Sequence, residues 1–200
     1  QALQAFSTAI ALSPELEIAY VEAIRLQMNN ENAEEALEIA QQLETIKEER
    51  GAILRAYVLR RSGQLDEAIA LLETLKDRFD QSVDIRVTLA AAYIAASTPE
   101  KAEEELQFVL QQLDPTSLEA RMALIEAFRL QGRTTEIVTQ LEELVAAKPE
   151  DNNLKISLAR GMLYTGQTES AEKIALELLT LGPQSGWANY IIGSAHIERD

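Results

Sequence analysis

The segment "PTSLEARMALIEAFRLQGRTTEIVTQLEELVAAKP", residues 115–149, decides the fold. It begins and ends with proline, and a third proline, Pro183, follows after the same interval of 34 residues. Between the two prolines, apolar residues recur at spacings of three and four in two stretches, which is the period of an amphipathic helix. Gly132 separates the stretches and suits a left-handed residue that ends the first helix. The segment therefore predicts a helix–turn–helix unit.

The same unit recurs along the chain at a nearly constant interval. Positions 14, 48, 80 or 81, 115, 149 and 183 close successive units, and a fixed period of this length is typical of stacked helical repeats. The unit from 49 to 81 is slightly short, which leaves the register of residues 52–61 open by one or two positions. The turn between the two helices holds Gly63, Gly132 and Gly166, and elsewhere Asn29–Asn30 and Ser97–Thr98.

A small residue recurs in the second helix of the unit, twelve residues before the closing position, where it allows two helices to approach closely. It is Ala2, Ala36, Ala68, Ala102 and Ala171, with Ile137 as the exception. With the turn glycines, Phe6 and the closing prolines, this pattern resembles the tetratricopeptide repeat family, whose unit is 34 residues. The family's tryptophan position is not kept, since it holds Tyr20, Leu54, Arg86, Arg121, Lys155 and Asn189.

The resemblance implies an all-α fold, a right-handed α-α superhelix or solenoid of about five and a half to six helix–turn–helix repeats. We expect a single domain over 1–200, in which a half repeat (1–14) precedes five repeats and a terminal helix (184–198). The five repeats are 15–48, 49–81, 82–115, 116–149 and 150–183. The alternative is an ordinary antiparallel helical bundle, which requires no 34-residue register. The chain opens inside a predicted helix without an initiator Met, so we interpret it as a fragment of a longer protein.

Composition limits the classes of partner. The net charge of −15 opposes nucleic-acid binding, which needs a cationic face, and opposes docking on an anionic membrane surface. No apolar run approaches the roughly 20 residues that span a bilayer, so direct membrane insertion is not expected. The chain has no cysteine, which excludes disulfides, thiolate catalysis and Cys-ligated metal. The expected partner is a protein or peptide segment.

Catalytic motifs are missing from the sequence. It contains no phosphate-binding glycine loop and no metal-ligand spacing. The single histidine, His196, has no evident catalytic partner and is interpreted as a packing or terminal residue. Adjacent glutamates such as Glu34 and Glu35 are interpreted as solvated helix charges. We therefore predict no enzyme activity, no cofactor and no metal.

The resemblance also places a binding surface. In the family the first helix of each unit lines a concave groove with residues four, seven and eleven positions after the closing position, which share one helix face. These rows mix apolar residues with arginines, and they would select a partner with apolar anchors and a carboxylate. The alternatives are that winding of the superhelix buries the apolar row, and that Trp187 anchors a cap. The candidate residues are Val21, Arg25, Arg55, Leu59, Val87, Met122, Glu126, Ile156, Arg160, Trp187 and Tyr190.

Three functions are compatible with this pattern. The first is a non-catalytic scaffold that binds a partner segment in the groove, and composition favours a bacterial envelope or export assembly. The second is a regulatory or substrate-docking arm of an enzyme whose catalytic domain lies outside this chain. The third is self-association through the end repeats. The compartment stays open between periplasm or cell envelope, which composition favours, and cytoplasm.

Overall fold

The computed structural model describes residues 1–181 and 186–197, which form α-helices and one π-helical segment and contain no strand. We call the even-numbered helices A helices and the odd-numbered ones B helices. The bounds are α1 Ala2–Leu12, α2 Glu17–Asn29, α3 Ala33–Glu44, α4 Glu48–Arg61, α5 Leu65–Arg78, α6 Val83–Ala95, α7 Pro99–Phe108, the π-helical segment Val109–Leu113, α8 Leu118–Leu130, α9 Thr134–Ala147, α10 Asn152–Tyr164, α11 Thr168–Leu181 and α12 Gly186–Ile197. The predicted all-α repeat fold is confirmed.

One left-handed residue ends each of five A helices. The next residue donates its backbone N–H to the carbonyl five positions back, as in Gln167 to Met162 at 2.8 Å, and this bond closes the helix end. Gly63, Gly132 and Gly166 have the expected positive φ, but Glu31 takes this conformation instead of Asn29 or Asn30. The five left-handed residues are Glu31 (φ 62°), Gly63 (81°), Ser97 (58°), Gly132 (69°) and Gly166 (74°).

Four of the five small residues predicted in the B helices lie in the core, and the fifth, Ala2 on α1, is exposed. Ala36, Ala68, Ala102 and Ala171 are fully buried, so a side chain no larger than a methyl group separates each B helix from its neighbour there. The chain divides into two compact units, Gln1–Thr116 and Ser117–Asp200, which we call unit 1 and unit 2. The core of unit 2 is one cluster drawn from its A and B helices, with Leu158 and Ile191 among its buried members.

The interval between left-handed residues is two residues shorter from Glu31 to Gly63 than in the regular repeat. The sequence placed the shortening one unit later, in 49–81. As a result Glu48 begins α4, and Ile46 holds the place that prolines hold in other units. The shorter connection brings α3 so close to α4 that a Cβ on Gly51 would lie 2.1 Å from the backbone nitrogen of Glu44. Only glycine fits there without a shift of backbone.

The interval from Ser97 to Gly132 is one residue longer than the regular one. The π-helical segment Val109–Leu113 absorbs the extra residue, since Asp114 donates its N–H to the carbonyl of Val109, five positions back, at 2.8 Å. A π-helical turn widens the helix by one residue without breaking it. The repeat boundaries assigned from the sequence stay a prediction, and the last one, Pro183, lies outside the described residues.

The position that the family gives to tryptophan holds a basic residue in three successive A helices. Arg86 donates to Glu105 at 2.6 Å, Arg121 to Gln140 at 3.2 Å, and Lys155 to Glu177 at 2.5 Å. Each acceptor lies on the following B helix. These cations therefore link A helices to B helices, and they are not part of the groove of apolar residues and arginines that the sequence suggested.

Candidate functional site

A cavity of about 850 Å³ opens in unit 2 between the end of α10 and the beginning of α12. Arg160, Leu163 and Tyr164 contribute from α10, and Gly186, Trp187, Tyr190 and Ser194 contribute from α12. Its volume lies in the range of ligand pockets, which are lined mainly by apolar and aromatic groups with a few polar ones. We call these seven residues the α10–α12 pocket.

Three of the predicted groove residues form the centre of this pocket. The guanidinium of Arg160 stacks over the ring of Trp187, 4.5 Å from its centroid, where the ring quadrupole attracts the cation. Tyr190 meets the same indole edge to face, with 5.8 Å between the ring centroids and an interplanar angle of 88°. Trp187 is 47% exposed, so about half of its surface remains open to contact.

No described carboxylate forms an ion pair with Arg160. Because the stacked Trp187 covers one face of the guanidinium, the N–H groups along its edge remain as donors for a ligand. The half-buried position of Arg160 reduces solvent screening of its charge. The α10–α12 pocket thus presents an oriented cation next to aromatic surface.

Other predicted residues of unit 2 differ in how far they are exposed. Met122 on α8 is 60% exposed and Tyr190 is 58% exposed, while Ile156 on α10 is half-buried and packs against the core. Glu126 accepts hydrogen bonds from Arg129, at 2.8 Å from its Nε, and this bond lowers the pKa of the Glu126 carboxyl. Glu126 is thus held as a carboxylate by its own helix.

In unit 1 two predicted groove residues are buried. Leu59 is 7% exposed and Val87 is 6% exposed. Leu59 lies four residues before the turn residue Gly63. Tyr93, Phe128 and Met162 lie four residues before the turn residues of their own units, and all three are buried in the core. The two-residue shortening moved Leu59 from the assumed groove row to this core row. The interpretation that packing buries the apolar row holds for Val87.

The two predicted groove arginines of unit 1 are paired within the unit. Arg25 pairs with Glu22 on the same helix, and Arg55 pairs with Glu44 at 3.1 Å. Val21, one turn before Arg25 on α2, is half-buried. Arg50 bridges two neighbouring A helices, at 3.2 Å from Glu17 of α2 and 2.6 Å from Asp84 of α6.

Sequence reasoning missed Leu163 and Tyr164, which complete the pocket at the end of α10. They lie three and two residues before Gly166, beyond the rows at four, seven and eleven, so the repeat register gave them no role. The sequence signal that could have found Tyr164 is a tyrosine in the last turn of an A helix, directly before the turn. In the structure this side chain is exposed.

His196 is exposed in the last turn of α12, so of the two predicted roles, packing or terminal residue, the terminal one fits. Its Nε2 lies 3.1 Å from an oxygen of Glu172 on α11. Within residues 1–181 and 186–197 no three His, Asp or Glu side chains form a group that could hold a metal ion. Across the same residues, no helix has the length and apolar character needed to cross a membrane.

The fold and the turn geometry define a helical repeat protein, and comparison with known families identifies the repeat. Residues 59–112 match the tetratricopeptide repeat family model. The protein YrrB, described as a tetratricopeptide repeat protein with an unusual peptide-binding site, matches 94% of this chain and 97% of its own, with a TM-score of 0.58 and 18% identity. The resemblance to the tetratricopeptide repeat family that the sequence indicated is thus confirmed for residues 59–112, and the similar structures show the same fold.

Two further similarities concern larger proteins. Yeast Tom70 shares the fold over 98% of this chain and 43% of its own, with a TM-score of 0.76 and 14% identity. The aspartyl/asparaginyl beta-hydroxylase of Mus musculus is 28% identical over 160 residues, which is 74% of this chain. The chain spans about a fifth of that enzyme, 21% of its length.

Proposed function

We propose that the chain is a non-catalytic scaffold that binds a protein segment on the A helices of unit 2. The binding surface comprises Met122, Glu126, Ile156, Arg160, Trp187 and Tyr190, together with the pocket residues Leu163 and Tyr164. The observation that carries the proposal is the α10–α12 pocket, which leaves an arginine and aromatic rings facing solvent. Exposed aromatic side chains beside a cation form binding anchors in protein interfaces.

The proposal drops all five unit 1 residues that the sequence nominated. Leu59 and Val87 are buried, and Arg25 and Arg55 are already paired with carboxylates. Val21 is half-buried and offers little area. The peptide-binding site in the description of YrrB supports a peptide as ligand for this fold, and repeat solenoids bind through extended surfaces.

Selection of peptides from a displayed random library on the immobilised 200-residue chain tests the proposal. The affinity of the selected peptide is then measured for the unaltered chain, for Met122→Glu and for Tyr190→Glu. Each change puts a carboxylate on an exposed apolar anchor, and we expect binding about tenfold weaker or worse. Circular dichroism checks that each variant remains helical.

Leu176→Glu is the matched control, because Leu176 is also an exposed apolar residue of unit 2 but lies on the B helix α11. It is expected to leave the affinity unchanged. If Leu176→Glu weakens binding as much as Tyr190→Glu does, while all variants stay folded, the ligand does not use the A helices and the proposal is wrong.

A second candidate function is a docking arm of an enzyme. The similarity to the mouse aspartyl/asparaginyl beta-hydroxylase over 74% of the chain favours it. The test is hydroxylation of aspartyl or asparaginyl peptides by the full natural protein, with the 200-residue chain alone as control. Product carrying one added oxygen from the full protein, and none from the chain alone, would support the docking arm. Absence of product from both would remove it.

Two predictions from the sequence remain without support from the comparisons. The bacterial envelope setting rests on composition, and self-association rests on the open ends of a repeat array. Light scattering over a concentration series decides the second, since a constant monomer mass contradicts self-association. Neither is needed for the binding surface in unit 2.

A further inference from the structure

The charge of the α10–α12 pocket favours a ligand that carries a negative charge. Arg160 is the charged residue among the described residues that line the cavity; the others are Leu163, Tyr164, Gly186, Trp187, Tyr190 and Ser194. Because Arg160 is half-buried and forms no ion pair with a described carboxylate, an incoming anion would meet an unneutralised cation. A cationic ligand is disfavoured, since the guanidinium of Arg160 already occupies the face of Trp187.

The remaining lining selects the rest of the ligand. Tyr164 and Tyr190 are exposed, and with Leu163 and Trp187 they give the cavity an apolar surface that a large side chain would bury. A single arginine suits one carboxylate, which accepts two parallel N–H bonds from a guanidinium. A nucleic acid does not fit this chemistry, because its phosphates need several cations and the chain carries a net charge of −15.

We infer that the α10–α12 pocket binds a peptide in which a carboxylate lies beside a large apolar side chain. The carboxylate pairs with Arg160, and the apolar side chain packs among Trp187, Tyr190 and Tyr164. The inference rests on the proposed function and adds the chemistry of the ligand. The carboxylate can belong to an aspartate or glutamate side chain or to a peptide C-terminus, and both present the same two oxygens.

The pocket contains its own reporter, because Trp187 is the only tryptophan of the chain. Its fluorescence is followed while the 200-residue protein is titrated with defined peptides. The first is acetyl-GSGFDGSG-amide, and its counterparts carry Asn or Lys in place of Asp. A second pair of peptides tests a C-terminal carboxylate as the source. These are acetyl-GSGF with a free C-terminal carboxylate and acetyl-GSGF-amide, which lacks it.

At least one of the two carboxylate peptides is expected to change the fluorescence emission of Trp187. It should bind about tenfold more tightly than its neutral counterpart, because the neutral peptide lacks the charged acceptor for Arg160. Arg160→Gln should remove that preference, and Arg160→Lys should retain part of it. Arg61→Gln is the control, since it removes an exposed arginine from α4 in unit 1. It should leave both affinities unchanged.

Three results would overturn the inference: equal binding of carboxylate and neutral peptides, tighter binding of the Lys peptide, or no response of Trp187 emission to any of them. A mass that rises with concentration in the unaltered chain, and does not rise in Arg160→Gln, would assign the pocket to a second copy and would also overturn it. If library-selected peptides still depend on Met122 and Tyr190 in any of these cases, the proposed function stands and the ligand chemistry alone is wrong.

Discussion

The A helices of the two units share one repeat pattern and present different surfaces. In unit 1 two of the predicted groove residues, Leu59 and Val87, are buried, and Arg50 bridges Glu17 and Asp84 on the neighbouring A helices. In unit 2 the equivalent positions hold exposed Met122 and the stacked pair of Arg160 and Trp187. The difference shows that a repeat register places side chains on a face, while their neighbours decide whether that face can bind anything.

Two ion pairs of unit 1 follow from the repeat itself. Arg50 lies 33 residues from Glu17 and 34 residues from Asp84, so one repeat of separation brings each carboxylate beside it. In unit 2, Glu126 stands 34 residues before Arg160, but it accepts from Arg129 of its own helix, and no described carboxylate pairs with Arg160. An arginine at a repeating position therefore bridges neighbouring A helices only when the acid one repeat away is not paired with a nearer cation.

The largest expected effect tests the close approach of α3 to α4 in unit 1. Gly51→Ala puts a Cβ 2.1 Å from the backbone nitrogen of Glu44, so the two helices must separate, and we expect the free energy of unfolding to fall by about 3 kcal/mol or more. In unit 2, Gly161→Ala brings a Cβ 3.0 Å from a methyl group of Val138, which can move, and it should cost about 1 kcal/mol. Urea denaturation followed by circular dichroism measures both.

Gly193→Ala is the control for these two changes, because a Cβ there meets no atom within 4 Å. Alanine is a better helix former than glycine, so this variant should gain about 0.5–1 kcal/mol. A Gly51→Ala protein as stable as Gly193→Ala would contradict the tight α3–α4 packing.

The second comparison concerns the cations that tie A helices to B helices. Glu105 in unit 1 is 12% exposed and binds both Arg86 and Lys76, so Glu105→Gln removes the anion beside Arg86 and leaves Lys76 with Glu73 alone. We expect a loss of about 2 kcal/mol. Glu177 in unit 2 is 56% exposed, and Glu177→Gln should cost less than about 1 kcal/mol, because Lys155 can turn its ammonium towards water. Equal losses in thermal or urea unfolding would contradict the assigned difference in burial.

The smallest effect tests the turns. Ser97 in unit 1 has a φ of 58° although it carries a Cβ, so Ser97→Gly should raise the free energy of unfolding by about 1 kcal/mol. Gly132→Ala in unit 2 makes the reverse change at an equivalent turn and should lower it by about 1 kcal/mol. Chemical denaturation of the two single variants gives both values. The same sign for both would show that side-chain contacts, and not backbone conformation, dominate these turns.

The sequence predicted the helices, the turns and much of the core, because these depend on local rules. Apolar spacing identified the helices, glycine marked three of the five left-handed residues, and four of the five alanines of the B helices were correctly placed in the core, with Ala2 as the exception. The exceptions have local causes. Glu31 and Ser97 adopt a conformation that residue type alone does not announce, and the π-helical segment Val109–Leu113 depends on one extra residue in the repeat.

The site was only partly predictable. The repeat register named Arg160, Trp187 and Tyr190, which the structure brings together. It also named Leu59, since a deletion of two residues between α2 and α4 cannot be located from periodicity alone. Tyr164 was missed because the end of α10 lies outside the register that was applied.

The sequence by itself determined the repeat, its all-α character and the face of each A helix on which a side chain lies, because helical period and turn chemistry act over a few residues. The tertiary structure decided which of those faces stay open. Val87 lies on α6, which contacts α4, α5, α7 and the π-helical segment, and it is buried, whereas Met122 holds the same row on α8 and is exposed. Burial depends on what other helices bring to the same place, and that information is not local to any repeat.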